Sequence, residues 1–383
     1  MFIEKLTLKN LYMFHDNVID LSYPKDKGNT INIIIGANGT GKTKLLKFMW
    51  DVAKCAVQKV SSGGSTPLVG VESVINFTNN QDLTFSIEIK KNHLSYKYSS
   101  EVQEELKKTK IYFIPSQLLH KLTNTHPNIN LKQIIDANII EINQAFTEYA
   151  SKLINKAILA EERNSNEVAE LRKSQAINWF NKYFIDTNIN SKLLEIEDIT
   201  EDLIFTDLSA KNKFKFNDLS SGEQQLYIKI ASLILMKPHD SLVLIDEPEL
   251  SLHPEWQAAF ISTLKKIGSN NQFIIATHSP YIVSNLTPED NLIVLNFDKK
   301  KHIVISYNPE FIERDINTTI DVMGYSHQLP PRVLELREKY REYFDKREEE
   351  SEKGLEIKNE LLQYETLDSS FFQEIEFLRV LRK

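Results

Sequence analysis

The chain has 383 residues, 41% of them hydrophobic, and a formal net charge of −7. That size and apolar content support one large core with additions, and the acidic balance excludes a generally basic nucleic-acid coat, though not a local basic patch. Cys55 is the only cysteine, so no intrachain disulfide can form, which fits a reducing compartment.

Met1–Leu6 alternates apolar and polar residues like a strand and lacks the basic-then-apolar pattern of a secretory leader. Strand-like runs rich in β-branched and aromatic residues follow at Thr30–Ile35, Ser73–Phe77, Leu83–Ile89 and Ile111–Ile114. A helix is expected after Lys42, and Ser61–Pro67 reads as a loop by composition. From about 116 to 200 the pattern turns helical, with Ile134, Ile135, Ile139, Ile142, Phe146, Tyr149 and Leu153 at helical spacing. Residues 201–310 return to alternating helix and strand, and Leu242–Ile245 and Phe273–Ala276 have the continuous apolar character of parallel strands covered on both faces. After Pro330-Pro331 comes a charged helical tail with a stripe of Val333, Leu336, Tyr340 and Phe344. Ser370 and Gln373 make a capping box for a last helix carrying Ile375 and Leu378. The expected divisions are 1–115, 116–200, 201–328 and 329–383. The longest apolar runs, such as Ile33–Ile35 and Leu233–Met236, are too short to span a bilayer, so a cytoplasmic protein is expected.

Four short segments carry chemistry. Gly36–Thr43 reads G-x-x-x-x-G-K-[ST], between a strand and a helix. In such a Walker A loop Gly36, Asn38, Gly39 and Gly41 let backbone amides turn inward around phosphates, Lys42 and the adjoining Lys44 supply positive charge, and the Thr43 hydroxyl ligates Mg²⁺. The bland alternative, a glycine-rich turn, is disfavoured by the strand-loop-helix context. The apolar run Leu242–Ile245 ends in Asp246-Glu247, as a Walker B strand does: Asp246 is placed to hold Mg²⁺ through water, and Glu247 to orient or deprotonate an attacking water. An acidic helix cap is the alternative. Ile274–Ala276 leads into Thr277-His278-Ser279-Pro280, where His278 can hydrogen-bond a γ-phosphate or serve structure alone. Finally, Leu219-Ser220-Ser221-Gly222-Glu223 sits where a helix should begin, so free amides and the positive helix end face outward. Without a ligand this is simply an N-capped helix start.

Taken in chain order (Gly36–Thr43, Leu219–Glu223, Leu242–Glu247 and His278), the four segments resemble those of ABC-type ATPases, over most of residues 1–310. The stretch Asp246–Gln257 resembles the soluble RecF-like and OLD-like members, including ATPase subunits of anti-phage systems such as Septu and retron-linked ones. The resemblance implies an α/β P-loop head, a mixed sheet plus an antiparallel β subdomain, with a helical insertion over 116–200 and a C-terminal helical tail. The insertion is too short for the coiled-coil arms of chromosome-organising ATPases. ATP and Mg²⁺ are the implied cofactors. Leu250–His253 corresponds to the loop that lines the dimer interface, and Ser220, Ser221, Gly222 and Glu223 to the signature that meets the γ-phosphate on a partner protomer. Two ATP molecules would sit between head-to-tail heads, and hydrolysis at Glu247 would open them. The family also implies a glutamine that reports on Mg²⁺, for which Gln117 is the candidate, with an ordinary strand-end polar residue as the alternative. Phe14 is a candidate adenine-stacking aromatic, with a core or loop aromatic the favoured reading.

OLD-type nucleases add a metal site with a Glu and a paired Asp-x-Asp. Downstream of His278 there is no Asp-x-Asp; Asp298, Asp315 and Asp321 are isolated, and Glu348–Glu350 reads as a solvated helical face. His93, His120 and His126 lack metal-type spacing. Three function classes stay open. The leading one is an ATP-gated homodimeric switch that controls a separate effector, a nuclease, in phage defence. The second is a RecF-type repair ATPase that clamps DNA, for which Lys42, Lys44, Lys47, Lys54, Lys59, Lys90 and Lys91 permit a basic patch. The third, a transporter's nucleotide-binding subunit, is disfavoured by the insertion and by the sequence after Asp246-Glu247.

Overall fold

The computed structural model describes residues 1–25, 28–59, 72–79, 83–90, 93–97, 99–116, 137–142, 150–166, 168–197, 199–209, 212–298, 301, 303–309, 330–367 and 369–381. The chain opens with β1 (Phe2–Asn10), β2 (Asn17–Asp20), β3 (Thr30–Gly36), α1 (Lys42–Lys59), β4 (Glu72–Thr78), β5 (Phe85–Lys90), β6 (His93–Lys97), α2 (Ser100–Lys108) and β7 (Ile111–Ile114). Next come β8 (Ile139–Glu141), α3 (Ala150–Asn164), α4 (Ala169–Lys182), β9 (Ser191–Ile196), β10 (Leu203–Asp207) and β11 (Lys213–Lys215). Then follow α5 (Ser221–Met236), β12 (Leu242–Asp246), α6 (Pro254–Lys265), β13 (Gln272–Ala276), α7 (Pro280–Val283), β14 (Asn291–Asp298) and β15 (Ile303–Tyr307). A separate unit from Tyr325 onward holds α8 (Pro331–Asp345), α9 (Glu352–Leu361) and α10 (Ser370–Leu381).

The fold is α/β, with the mixed sheet and the antiparallel sheet expected of a P-loop head. A seven-stranded sheet has the order β15-β14-β3-β13-β12-β7-β8, parallel from β14 to β8 and closed by antiparallel β15. Its strands β12 and β13 are buried at every residue, which is why their sequences carry no alternation. A second, five-stranded sheet is antiparallel, in the order β2-β1-β4-β5-β6. Helix α1 joins the two. Leu45, Leu46, Met49, Val52, Ala53 and Val57 fall in one apolar cluster with Ile34, Leu244 and Ala276 of the parallel sheet and Leu6, Ile75 and Ile87 of the antiparallel one. A helix buried on most of its circumference cannot rock without opening cavities on several sides, so the loop that enters it is held rigidly.

Polar side chains stitch the sheets where apolar packing cannot. Gln272 Oε1 accepts from Ile3 N at 2.8 Å, and its Nε2 donates to Ile3 O at 2.7 Å and Ser22 O at 2.8 Å. One buried amide thus pairs with β1 as a strand residue would. Asn32 does the same for Ser22, accepting from its N and donating to its O, both at 2.8 Å.

Two expectations from periodicity are corrected. Ile139–Glu141 is a parallel strand beside β7 and not part of a helix, and Leu153 lies in the described helix Ala150–Asn164; the edge beside Ile111–Phe113 recruits β-branched isoleucines that also happened to fall at helical spacing. The stretch expected as a helical insertion also contains β9, which pairs with β10. Ser61–Pro67, Lys91, Gln117, His120, His126, Ile134, Ile135, Phe146, Tyr149, Asp315 and Asp321 lie outside the described residues.

In the C-terminal unit Val333, Leu336, Tyr340 and Phe344 are all buried, against Leu361, Phe371, Phe372 and Ile375, so the stripe is this unit's own core. The cap of α10 is one residue earlier than expected. Ser369 Oγ accepts from Phe372 N at 3.5 Å and donates to Glu365 Oε2 at 2.9 Å. Arg337 holds the same Glu365 by two bonds, at 2.6 and 2.8 Å, so the cap is anchored to a fixed carboxylate.

Gln272→Met keeps the volume but leaves Ile3 N, Ile3 O and Ser22 O without this partner. Stability should fall by about 2–4 kcal/mol, read as a lowered urea midpoint at unchanged slope.

Candidate functional site

The carboxyl ends of β3, β12 and β13 meet beside the N-terminus of α1, where open parallel sheets place ligands. Gly36 ends β3 so close to β14 that a Cβ would lie 2.3 Å from Leu295 O; only glycine lets the loop start there. Asn38 and Gly39 are exposed on the loop, Lys44 is exposed on the first turn of α1, and Lys42 between them is only 4% exposed.

Lys42 Nζ donates to Gly36 O at 2.7 Å and Ala37 O at 3.3 Å, and it lies 3.2 Å from His278 Nδ1. Burial pulls its pKa down to about 8, against the opposing pull of Glu247, Glu249 and Asp246. His278 is pushed down to about 4, first by burial and then by Lys42, so its ring is neutral at pH 7. A charged ammonium can only donate, so Nδ1 is the acceptor, and the ring proton is assigned to Nε2. That nitrogen lies 3.4 Å from Glu247 Oε1. Glu247 itself sits at φ 43°, a left-handed conformation that a side chain rarely adopts. Its N donates to Ala276 O at 2.8 Å, which fixes the tip of β12 against β13. Thr43 Oγ1 donates to Asp246 Oδ1 at 3.0 Å, and burial raises the carboxyl pKa of Asp246. Lys42, Thr43, Asp246, Glu247 and His278, far apart in sequence, therefore form one connected cluster.

Among the described residues no group of three or more His, Cys, Asp or Glu is arranged to hold a metal ion. One carboxylate and one hydroxyl do suit Mg²⁺, which takes few protein oxygens and completes its shell with water and phosphate. A cation there would also offset the buried charge of Asp246.

The serine-glycine turn is built separately. Ser220 caps α5: its Oγ accepts from Glu223 N at 3.3 Å, while Glu223 Oε2 accepts from Ser220 N at 3.0 Å. Glu223 Oε1 accepts from Ser191 Oγ of β9 at 2.7 Å. Glu223, expected with the nucleotide binders, has both oxygens engaged within the chain. Ser220 and Ser221 are exposed, and Gly222 is buried. A Cβ on Gly222 would lie 2.5 Å from Ser251 O and 3.0 Å from the Trp256 ring, so this glycine lets α5 dock on the loop after β12. Gln257 ties the same loop to the next strand end: its Nε2 donates to Leu252 O at 2.8 Å, and its Oε1 accepts from Ser279 Oγ at 2.5 Å.

Of the two readings of Phe14 the structure bears out the core one, and two residues escaped the sequence pattern. Phe14 is fully buried and packs beneath Gly41, 3.2 Å from the Cβ that glycine lacks, so it cannot face a base. Its neighbour Tyr12 is 58% exposed at φ 54°, with Lys44 Nζ 5.1 Å from its ring centroid. The signal was the turn Leu11–Phe14, closed by reciprocal backbone bonds, which sends alternate aromatics out and in. The other missed residue is Lys229, an isolated charge in the apolar run of α5. Gln117 lies outside the described residues.

A family model described as "AAA domain, putative AbiEii toxin, Type IV TA system" matches residues 31–284. The chain is 26% identical over 211 residues to Retron Vc95 probable ATPase of Vibrio cholerae serotype O1 biovar El Tor, covering 51% of this chain and 40% of that protein. It is 30% identical over 178 residues to Retron Ec83 probable ATPase of Escherichia coli (38% and 32%). It is 31% identical over 122 residues to Septu protein PtuA of Bacillus thuringiensis (30% and 31%). The chain thus spans 31–40% of the length of these relatives. Among the described residues no helix is long and apolar enough to cross a membrane.

The buried Lys42 charge has a consequence for stability. Its folded pKa, about 8, lies below the usual 10.5, so folding is penalised fully below about pH 8, and the penalty fades as pH rises towards 10.5. Lys42→Met should raise the stability of the nucleotide-free chain at pH 7 by about 1 kcal/mol net of the lost hydrogen bonds. Urea unfolding across that pH range should show the advantage shrinking; a deficit independent of pH would refute the cost assigned to the charge.

Proposed function

Because the chain belongs to the AAA-domain family whose model spans residues 31–284, we propose that it is an ATP-hydrolysing switch. Two copies close head to tail over ATP, and the closed dimer controls a separate effector, a nuclease, in anti-phage defence. The observation that carries the ATPase reading is the connected cluster Lys42–His278–Glu247 with Thr43–Asp246 at the strand ends. Resemblance to the retron and Septu ATPases supports the defence setting.

In this reading the amides of residues 36–41 and the Lys42 ammonium bind the β- and γ-phosphates, and the lysine exchanges weak carbonyl contacts for a charge partner. Thr43 and Asp246 hold Mg²⁺, which when bound neutralises charge building on the phosphates. Glu247 orients the attacking water and takes its proton, while the neutral His278 presents Nε2–H beside it. Tyr12, beside Lys44, takes the base-stacking role first considered for Phe14. The exposed amides at Ser221 and Gly222 meet the γ-phosphate held by the partner protomer.

Glu247→Gln tests the reading. Turnover should fall by about 100-fold or more, and ATP should then double the mass of the particle in the same sample. Normal turnover in that variant would refute Glu247 as the base. Salt-sensitive, ATP-dependent DNA binding by the trapped species would favour a DNA clamp over an effector switch.

A further inference from the structure

Lys229 lies two turns into α5, is 1% exposed, and has apolar neighbours on both sides in sequence. Burying an ammonium costs several kcal/mol unless it is paired, and a methionine of similar shape would fill the space without that cost. The side chain reaches the loop after β12: Nζ donates to Pro248 O at 2.8 Å, the carbonyl between Glu247 and Glu249. Glu249 is the anion acting on it. The Glu249 carboxylate turns to the next strand end, where Oε1 accepts from His278 N at 2.5 Å and Thr277 also bonds to it; Oε2 is buried with no hydrogen-bond partner.

These contacts surround a strained residue. Glu247 holds a left-handed conformation, which persists only where its surroundings determine it. Its backbone restraints among the described residues include its own bond to Ala276 O, the Leu250 N bond to its carbonyl, and the Lys229 bond to the following carbonyl. Only the last comes from α5. That helix begins at Ser221, eight residues or about 12 Å from Lys229 along its axis, and a helix transmits an axial or tilting displacement with little loss.

We infer that Lys229 and Glu249 form a buried positioning couple through which the signature turn of α5 sets Glu247 and His278 of the same chain. The inference rests on the proposed shared-nucleotide dimer. When one head's turn engages the partner's nucleotide, Lys229 carries that engagement to its own Glu247, so the two sites fire together. Lys229 touches no substrate and acts through Pro248 and Glu249.

The test uses the full chain with Lys229→Met, Lys229→Arg and Glu249→Gln, each checked for its melting transition. For Lys229→Met and Glu249→Gln, KM for ATP should stay within about 2-fold of the parent while kcat falls at least about 10-fold. The Hill coefficient for ATP should drop from about 2 to about 1. Lys229→Arg, which keeps charge and donor, should recover most of both. A role in packing alone would lower the melting transition without splitting kcat from KM, and would overturn the inference. So would parental kcat and Hill coefficient in folded Lys229→Met; should that variant not fold, the same result in Glu249→Gln decides against it. Glu247→Gln run alongside separates the two readings. No ATP-dependent doubling of its mass refutes the shared-nucleotide dimer, whereas a normal doubling with a fully active Lys229→Met refutes the couple alone.

Discussion

A positive charge held nearly out of water, where β3 becomes α1, is the constraint on which the head is organised. Lys42 donates to two loop carbonyls and faces a neutral imidazole, a poor substitute for water around an ammonium. Nothing in that arrangement is stable alone. It is held because α1 is clamped by apolar packing from both sheets, and because buried amides such as Gln272 and Asn32 fix the first strands to the central ones. The core stabilises a site that is itself unfavourable, as is common where pre-organisation matters.

The same logic explains why the cluster's pKa values move apart. Burial pulls Lys42 and His278 down and pushes the Asp246 and Glu249 carboxyls up. Each group is less comfortable charged here than in water, so, on the proposed reading, a bound anion with its cation would relieve charges of both signs. Around this cluster the loop Glu247–His253 is fastened by two helices: by Lys229 and Gly222 of α5 and by Gln257 of α6.

Much of this was legible in the sequence where local chemistry and tertiary demand agree. Gly36–Thr43 needs its glycines for backbone approach, Leu242–Asp246 and Gln272–Ala276 are apolar because both faces are covered, and Val333–Phe344 keeps helical spacing because one face makes a small core. The misreadings fall where a tertiary partner decides. Ile139 and Ile142 satisfied a helical period by coincidence, while pairing with β7 decided their place. Phe14 and Tyr12 are two residues apart, and a tight turn decides between the two readings of Phe14, burying its ring in the core and leaving that of Tyr12 outside. Lys229 could be seen as an odd charge in an apolar helix, but its partner is a backbone carbonyl 19 residues away, which no side-chain pattern records.

The place of β3 in its sheet has a consequence for biosynthesis. Its hydrogen-bonded neighbours are β13 and β14, some 240 positions further along the chain, so the phosphate loop has no framework while those strands are still inside the ribosome. At roughly 5–20 residues per second the delay is on the order of ten seconds to a minute. For that interval the nascent chain carries its most recognisable sequence with no means of using it. On the proposed reading ATP cannot chaperone the first half of the molecule, and the ability to bind it arrives only near the completion of the head.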